Sequence, residues 1–299
     1  RRHTRFRNVT GVQTCALPIL GRSLTRPVLW PVAAYFVVSS PVARRASRAY
    51  LERVLGRGAG WLDVFRHFLC FASTVHDRLY LASGGAAGLD IQFIGADCLP
   101  PARENGVFLL GSHLGSFDAL RAAGEGIDKK RVVMVMHEEN ARKINHLLRA
   151  VPAAAMPEVI ALGHVDTMLR VAERLDQGCV VGMLADRSPV ADTLHDVPFL
   201  GGVAAFPMGP FRMAALLKRP VVFMAGLYLG GNRYAIHFER IADFSTLQRG
   251  QRQTAIESAM CRYAGVLERY CRQAPYNWFN FYEFWHEVPS TRENAAAAV

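Results

Sequence analysis

The sequence is poor in cysteine and lacks the spacings by which cysteines bind metals. Six cysteines occur in 299 residues, with no Cys-x-x-Cys pair and no cluster of cysteines with histidines. This pattern argues against a structural zinc site, and the odd number of thiols after residue 19 argues against a disulfide framework. We therefore expect no metal, a reducing compartment, and thiols that fill the core.

Apolar runs long enough to cross a bilayer are absent as well. Residues 28–38 are eleven uncharged residues in a row, whereas a spanning helix needs about 20. Arginines flank this run on both sides, and Trp30 and Tyr35 are residue types that favour the membrane interface. The pattern predicts a helix that lies in the interface and anchors the chain. Two alternatives stay open: an ordinary first helix packed on the domain, and the remnant of a longer span.

The first residues do not resemble native protein. Residues 9–19 match the in-frame translation of a common short-read sequencing adapter, and the chain begins with arginine. We interpret residues 1–19 as an assembly artefact and leave them out of the fold prediction; a basic signal or transit peptide is the alternative. Without their four arginines the formal charge falls from +10 to about +6. Because no recognition motif accompanies this charge, we expect no nucleic-acid partner.

The remaining residues predict one α/β domain with a largely parallel central sheet flanked by helices. Their number suits a single sizeable core, and no repeat or linker divides them. Strand-like and helix-like stretches alternate, which is typical of this architecture. We predict an N-terminal membrane-associated helical segment over residues 20–55, the main domain over 56–290 and a disordered tail over 291–299.

Short apolar runs mark the predicted strands. These runs are residues 107–110, 132–136, 159–162 and 180–184, and residues 89–94 instead alternate apolar and polar residues, as expected of a half-buried strand. Helical spacing of apolar residues predicts helices over residues 140–150, 166–175, 211–218 and 251–272. Two further strands, residues 221–229 and 234–238, flank a Gly-Gly-Asn hairpin signal.

The loop after the strand at residues 107–110 carries the strongest chemical signal. His113 and Asp118 are five residues apart, a spacing that suits a general base and a carboxylate that orients it. Gly115 would let the backbone approach a substrate, and sites in parallel sheets form at the carboxyl ends of strands. The alternative is that Asp118 caps the following helix and His113 is a loop residue. Spacing alone does not decide between them.

Two later segments also follow predicted strands directly, one with polar residues and the other rich in glycine and proline. Asp186 and Arg187 could hold a substrate headgroup or phosphate, or form a structural ion pair. A loop rich in glycine and proline follows, in which Phe199 and Phe206 could line an acyl pocket or belong to the core.

The last aromatic stretch has two interpretations. Residues 276–285, here called the aromatic strap, include Trp278, Phe284 and Trp285. They could insert into a membrane near an acyl donor. The interpretation we favour is that they fold back over the sheet and close the core.

The order of these motifs resembles the bacterial lipid A biosynthesis acyltransferase family, within the wider glycerolipid acyltransferase superfamily. The resemblance covers nearly all of residues 20–287. Within this family, the chain is most similar to a branch of acyltransferases that are found alone or fused to glycosyltransferases. The motifs that carry it are His113-x4-Asp118, Asp186-Arg187, Phe199-x-Gly201 and Phe206-Pro207-x-Gly209.

The resemblance implies a mechanism. His113 would deprotonate a hydroxyl or amine of a lipid or glycolipid acceptor, which attacks the thioester of an acyl-carrier-protein or acyl-CoA donor, while Asp118 orients His113. The implied substrate-binding residues are Gly115, Phe117, Asp186, Arg187, Phe199, Gly201, Phe206, Pro207 and Gly209. No cofactor is implied. The implied partners are an acyl carrier protein and a possible glycosyltransferase, and the implied location is the cytoplasmic face of a bacterial inner membrane.

The chain departs from the family pattern at two places. Lipid A acyltransferases commonly have Glu where Asp118 stands, and an Arg where residues 137–140 read His-Glu-Glu-Asn. The acceptor could therefore be lipid A, an aminolipid, an aryl-polyene-type lipid or another glycolipid. A catalytically inactive lipid- or carrier-binding homologue is the alternative function. A serine hydrolase lacks support, since Ser112 is out of register for a Gly-x-Ser-x-Gly elbow.

Overall fold

A computed structural model defines the fold. It describes residues 22–82, 88–99, 106–117, 132–137, 158–187 and 193–285. A short helical turn, Arg22–Thr25 and Arg26–Val28, precedes the first helix. The helices of the described ranges are α1 (Leu29–Ser39), α2 (Pro41–Leu55), α3 (Trp61–Ala82), α4 (Thr167–Asp176), α5 (Gly209–Leu216) and α6 (Arg252–Gln273).

The strands form one large sheet and one small hairpin. They are β1 (Asp90–Ile94), β2 (Val107–Gly111), β3 (Val132–His137), β4 (Glu158–Leu162), β5 (Val180–Leu184), β6 (Leu194–Phe199), β7 (Gly202–Pro207), β8 (Pro220–Tyr228) and β9 (Arg233–Asp243). The large sheet has the order β1-β9-β8-β2-β5-β3-β4, and only its β8–β9 pair is antiparallel. The predicted α/β class with a largely parallel sheet is therefore confirmed.

The central strand β2 divides the core into two layers. All five of its residues are buried, and their side chains alternate between the faces of the sheet. Phe108 and Leu110 pack in the core beneath α2 and α6, while Val107 and Leu109 pack in a second core on the other face. A strand that is buried on both faces has an unbroken run of apolar residues, so this run in the sequence predicted β2.

The helix predicted over residues 251–272 is confirmed as α6, and its apolar face is the expected one. Ile256, Met260, Tyr263, Leu267 and Tyr270 are all buried against the sheet. The helix predicted over 140–150 lies outside the described residues.

The segment interpreted as a glycine- and proline-rich loop is in fact the antiparallel hairpin β6–β7. Its two turn residues, Leu200 and Gly201, have φ angles of 50° and 73°. Two residues with positive φ form a turn whose twist matches that of an antiparallel pair. Pro198 masked the strand in the sequence, but a proline is tolerated where a strand has a free edge.

The N-terminal helices are part of the same globule and also expose apolar side chains. Tyr50 of α2 is fully buried and donates its hydroxyl to the carbonyl of Pro275 (2.8 Å). In α1, Ala33 and Val37 are buried, whereas Trp30 is 60% and Tyr35 66% exposed. Across the described ranges, no helix has both the length and the apolar character needed to cross a membrane.

Candidate active site

Main-chain hydrogen bonds hold the loop after β2 from both sides. On one side, the amide of Ser116 donates to the carbonyl of Gly226 in β8 (2.8 Å). On the other side, the amide of Gly115 donates to the carbonyl of Asn277, and the carbonyl of His113 accepts from the amide of Phe279, both at 2.8 Å. The aromatic strap therefore acts as an extra strand beside residues 113–115, and the loop is a rigid part of the sheet edge.

Only glycine fits at position 115. Its φ is 71°, and a Cβ there would lie 1.9 Å from the carbonyl oxygen of Gly226. The close approach of the two backbones thus fixes the residue type. The substrate contact expected of Gly115 remains a prediction; the structure shows a packing reason for this glycine.

His113 lies at the carboxyl end of β2 and pairs with Asp186, which follows the neighbouring strand β5. Its Nδ1 is 2.9 Å from Asp186 Oδ1 and 3.1 Å from Oδ2, and its main-chain amide donates to Oδ2 at 3.0 Å. The His113 side chain is 30% exposed, so a substrate can reach it from solvent. Asp118, the carboxylate expected beside His113, lies outside the described residues.

Asp186 is a buried carboxylate that is held ionised. Burial raises its pKa, but the charge and hydrogen bonds of His113, together with the charge of Arg187, outweigh this and lower it to about 2. The indole of Trp278 adds a further donor to Oδ2 (3.1 Å). An ionised carboxylate can only accept hydrogen bonds, so Nδ1 of His113 must carry the proton. Its Nε2 then holds the lone pair that can accept a proton from a substrate.

Arg187 lies next to this pair and is stacked on the aromatic strap. Its guanidinium carbon is 5.1 Å from the centroid of the Tyr282 ring. Burial raises the pKa of the Tyr282 hydroxyl, so this ring stays neutral beside the cation. A guanidinium fixed by an aromatic face is suited to bind an oxyanion such as a phosphate.

The other expected substrate-binding residues lie in three places. Phe117 packs against the sheet. Its ring lies so close to Gly182 of β5 that a Cβ on this glycine would be 2.7 Å from it. Phe199 and Phe206 are buried in an aromatic cluster with Trp278 and Phe284. Gly201 forms the turn of the β6–β7 hairpin, Pro207 ends β7, and Gly209 begins α5. The structure brings Asp186 and Arg187 to His113. It packs Phe199 and Phe206 against aromatic rings of the strap.

The aromatic strap folds back over the sheet, as favoured from the sequence. Trp278, Phe279 and Phe284 are buried, and the Trp278 ring lies 5.0 Å from that of Tyr50. The contact between Trp278 and Asp186 was not predicted. No local sequence signal joins them, since they are 92 residues apart.

A buried histidine supports the strap from below. His67 of α3 is fully buried, with Nδ1 on the Ser47 hydroxyl and Nε2 on the carbonyl of Trp278, each at 2.8 Å. Burial lowers the pKa of His67 from 6.5 to about 4, although the carbonyl of Trp278 opposes this. His67 is therefore neutral in the folded protein at pH 7.

We expect His67 to make the fold sensitive to mild acid. Between pH 6.5 and about 4 the unfolded chain binds a proton at this residue that the folded protein does not bind. Stability is therefore complete above pH 6.5 and falls as pH decreases, by at most about 1.4 kcal/mol per pH unit. Urea unfolding at several pH values would measure this slope. His67→Gln, which can still donate to Trp278, should flatten it; an unchanged slope would contradict the assignment.

Two comparisons with known proteins bear on the family of this chain. A search of curated proteins found no match to the chain. The family model described as bacterial lipid A biosynthesis acyltransferase matches residues 73–287. This range covers well over half of the chain and includes His113, Asp186 and the whole aromatic strap. The chain belongs to the bacterial lipid A biosynthesis acyltransferase family.

Proposed function

We propose that this protein moves an acyl chain from an acyl-carrier thioester to a hydroxyl or amine of a lipid or glycolipid, with His113 as the general base. Family membership supports an acyltransferase role. The observation that carries the mechanism is the pairing of His113 Nδ1 with the buried carboxylate of Asp186. This pairing leaves Nε2 as the proton acceptor at an exposed sheet edge.

Each residue has a defined task in the proposed reaction. Nε2 of His113 takes the proton from the acceptor as its oxygen or nitrogen attacks the thioester carbonyl carbon. The carbon–sulfur bond then breaks, and the imidazolium returns the proton to the departing thiolate. Asp186 holds the imidazole in the required tautomer and stabilises its charged form. The family resemblance implies Asp118 as the carboxylate that orients His113, and this role remains a prediction.

Arg187 is proposed to bind an anionic part of a substrate. Its guanidinium is close enough to lower the pKa of Asp186 and is held against Tyr282. A phosphate on the acceptor or on the carrier arm of the donor would fit this cation. The residue would thereby position the acceptor rather than take part in proton transfer.

The proposed site of action is the cytoplasmic face of the inner membrane. Support comes from the exposed apolar side chains of the N-terminal helices, among them Trp30, Tyr35, Val38 and Trp61. Arg44 lies over the Trp61 ring (5.4 Å), so a cation accompanies the apolar surface. Aromatic rings and cations in this arrangement favour the headgroup region of anionic membranes.

The direct test is a transfer assay with purified protein. Acyl-carrier-protein and acyl-CoA donors would each be incubated with vesicles of a bacterial lipid extract, followed by lipid mass spectrometry and thiol titration. We expect a lipid heavier by one acyl chain and one thiol released for each lipid acylated. Thiol release without acceptor would indicate a hydrolase, and donor binding without thiol release would indicate the inactive binding homologue. Either result would overturn the proposal.

A further inference from the structure

A cleft of about 540 Å³ lies between the N-terminal helical turn, α3 and the end of β8. Its volume is in the range of small-molecule sites. Strand β8 runs parallel to β2, so the end of β8 at Tyr228 lies at the same sheet edge as His113. Residues that line the cleft include Arg26, Leu29, Trp30, Leu69, Ser73 and Tyr228. Most of these residues precede position 73, where the family match begins.

Arg26 brings a positive charge to the lining of the cleft, and among the described residues it shares the carboxylate of Asp77 with Arg22. The nearby carboxylate of Asp77 is taken up by Arg22, whose Nε and Nη2 both donate to it at 2.7 Å. Tyr234 donates its hydroxyl to the same group at 2.7 Å. Arg26 is farther away, with its Nη2 3.9 Å from Asp77. Two guanidinium groups therefore face one carboxylate, and the balance at neutral pH is positive.

Asp77 is ionised in this arrangement. Burial raises its pKa, but the nearby His76 and the hydrogen bonds from Arg22 and Tyr234 lower it to about 2. Its charge thus cancels that of Arg22 and leaves that of Arg26. Arg26 directs one Nη to the carbonyl of Gly231 and the other to the Tyr228 hydroxyl. A guanidinium has five donors, so it keeps capacity for a ligand, and its side chain is 21% exposed.

Apart from Arg26, Ser73 and Tyr228, the named lining residues are apolar, and the cleft opens beside an exposed apolar surface. Leu29, Trp30 and Leu69 form its walls. The helical turn that contributes Arg26 also exposes Leu24 and Val28 to solvent. A ligand that pairs with the cation of Arg26 and also contacts the apolar walls has an anionic head and a hydrocarbon chain.

We infer that the cleft binds a single-chain anionic amphiphile, with its phosphate or carboxylate on Arg26 and its acyl chain between Leu29, Trp30 and Leu69. The lining of the cleft does not include His113 or Asp186, and binding there does not depend on the proposed reaction. The same chemistry could come from a membrane phospholipid or from a free fatty acid.

Binding would be measured by isothermal titration calorimetry below the micelle concentration of each ligand. The probes are lauroyl-lysophosphatidylglycerol, laurate and the zwitterionic lauroyl-lysophosphatidylcholine, each with wild-type protein and with His113→Ala. We expect the anionic probes to bind about tenfold more tightly than the zwitterion. Both proteins should bind alike, which separates this inference from the acyl-transfer proposal. A preference for the phosphodiester or for the carboxylate would identify the source.

Variants test the two ends of the cleft. Leu69→Trp fills the apolar part and should abolish binding, whereas the same change at the exposed Leu62, which does not line the cleft, should have no effect. Arg26→Gln should weaken only the anionic probes, by about tenfold, and Arg26→Lys should restore most of the affinity. Thermal unfolding would confirm that each variant is folded. Unchanged binding by Leu69→Trp, or equal affinity for anionic and zwitterionic probes, would overturn the inference.

Discussion

Replacing His113 with alanine is expected to lower kcat for acyl transfer by about 10²–10⁴-fold, the usual contribution of a positioned general base. The His113 side chain is 30% exposed at the sheet edge, and its Nδ1 is engaged by Asp186, which leaves Nε2 for the substrate proton. Without it, the acceptor must lose its proton to water. Steady-state kinetics with acyl-carrier donor and lipid acceptor would measure the loss.

The structure offers a matched control for this variant. His164 lies in the turn after β4, is exposed, and has no place in the proposed mechanism. His164→Ala should therefore leave kcat unchanged. His113→Ala should stay folded, because Asp186 keeps the main-chain amide of residue 113 and the Trp278 indole as donors, but it should unfold at a lower temperature than wild type, because a buried carboxylate loses one partner. Transfer by His113→Ala at the wild-type rate would remove His113 from the mechanism.

Asp186→Asn is expected to reduce kcat by a similar factor, about 10²–10⁴-fold, through a wrong histidine tautomer. The carboxylate accepts from three N–H groups: the amide and Nδ1 of His113 and the indole of Trp278. An asparagine would direct its own NH₂ group at one of these donors. The imidazole could then lose its proton at Nδ1 and carry it at Nε2, where it cannot act as a base.

Further variants test whether Asp186 acts by orienting His113 or only by stabilising the fold. Asp196→Asn, at an exposed position of β6, is the neutral control for the same chemical change. Trp278→Phe removes one donor to Asp186 but leaves the His113 contact, so its kcat should lie between those of wild type and Asp186→Asn. Asp118→Asn tests the carboxylate implied by the family. Full activity of a folded Asp186→Asn would show that another group orients His113.

The sequence predicted the part of the site that depends on local pattern. The apolar runs of β2 and β5 indicated buried strands, and polar residues after each run indicated a common sheet edge. His113 and Asp186 were both placed at strand ends for this reason. Their direct contact was not predicted, because it depends on β2 lying beside β5 rather than beside β3, its neighbour in the chain. Strand order is set by packing over the whole sheet, which local spacing does not encode.

The residue types of the aromatic strap left two interpretations open, and only three-dimensional contacts decide between them. The aromatic strap has the residue types of both a membrane surface and a core. Its place is decided by the bridge between Leu114 and Trp278 and by the hydrogen bond from His67 to the Trp278 carbonyl. The β6–β7 hairpin was missed for a different reason: Pro198 interrupts the strand pattern, and positive φ at Leu200 is rare for a leucine.

The aromatic strap also determines when a growing chain can first become active. His67 and Trp278 meet in the finished protein but are separated by 211 residues. A ribosome-bound chain that has not reached residue 277 contains every described strand, yet Asp186 lacks its indole donor and residues 113–115 lack their outer partner. Contacts this distant form late because closing so long a loop costs entropy. The nascent protein therefore folds most of its sheet before it has a working site.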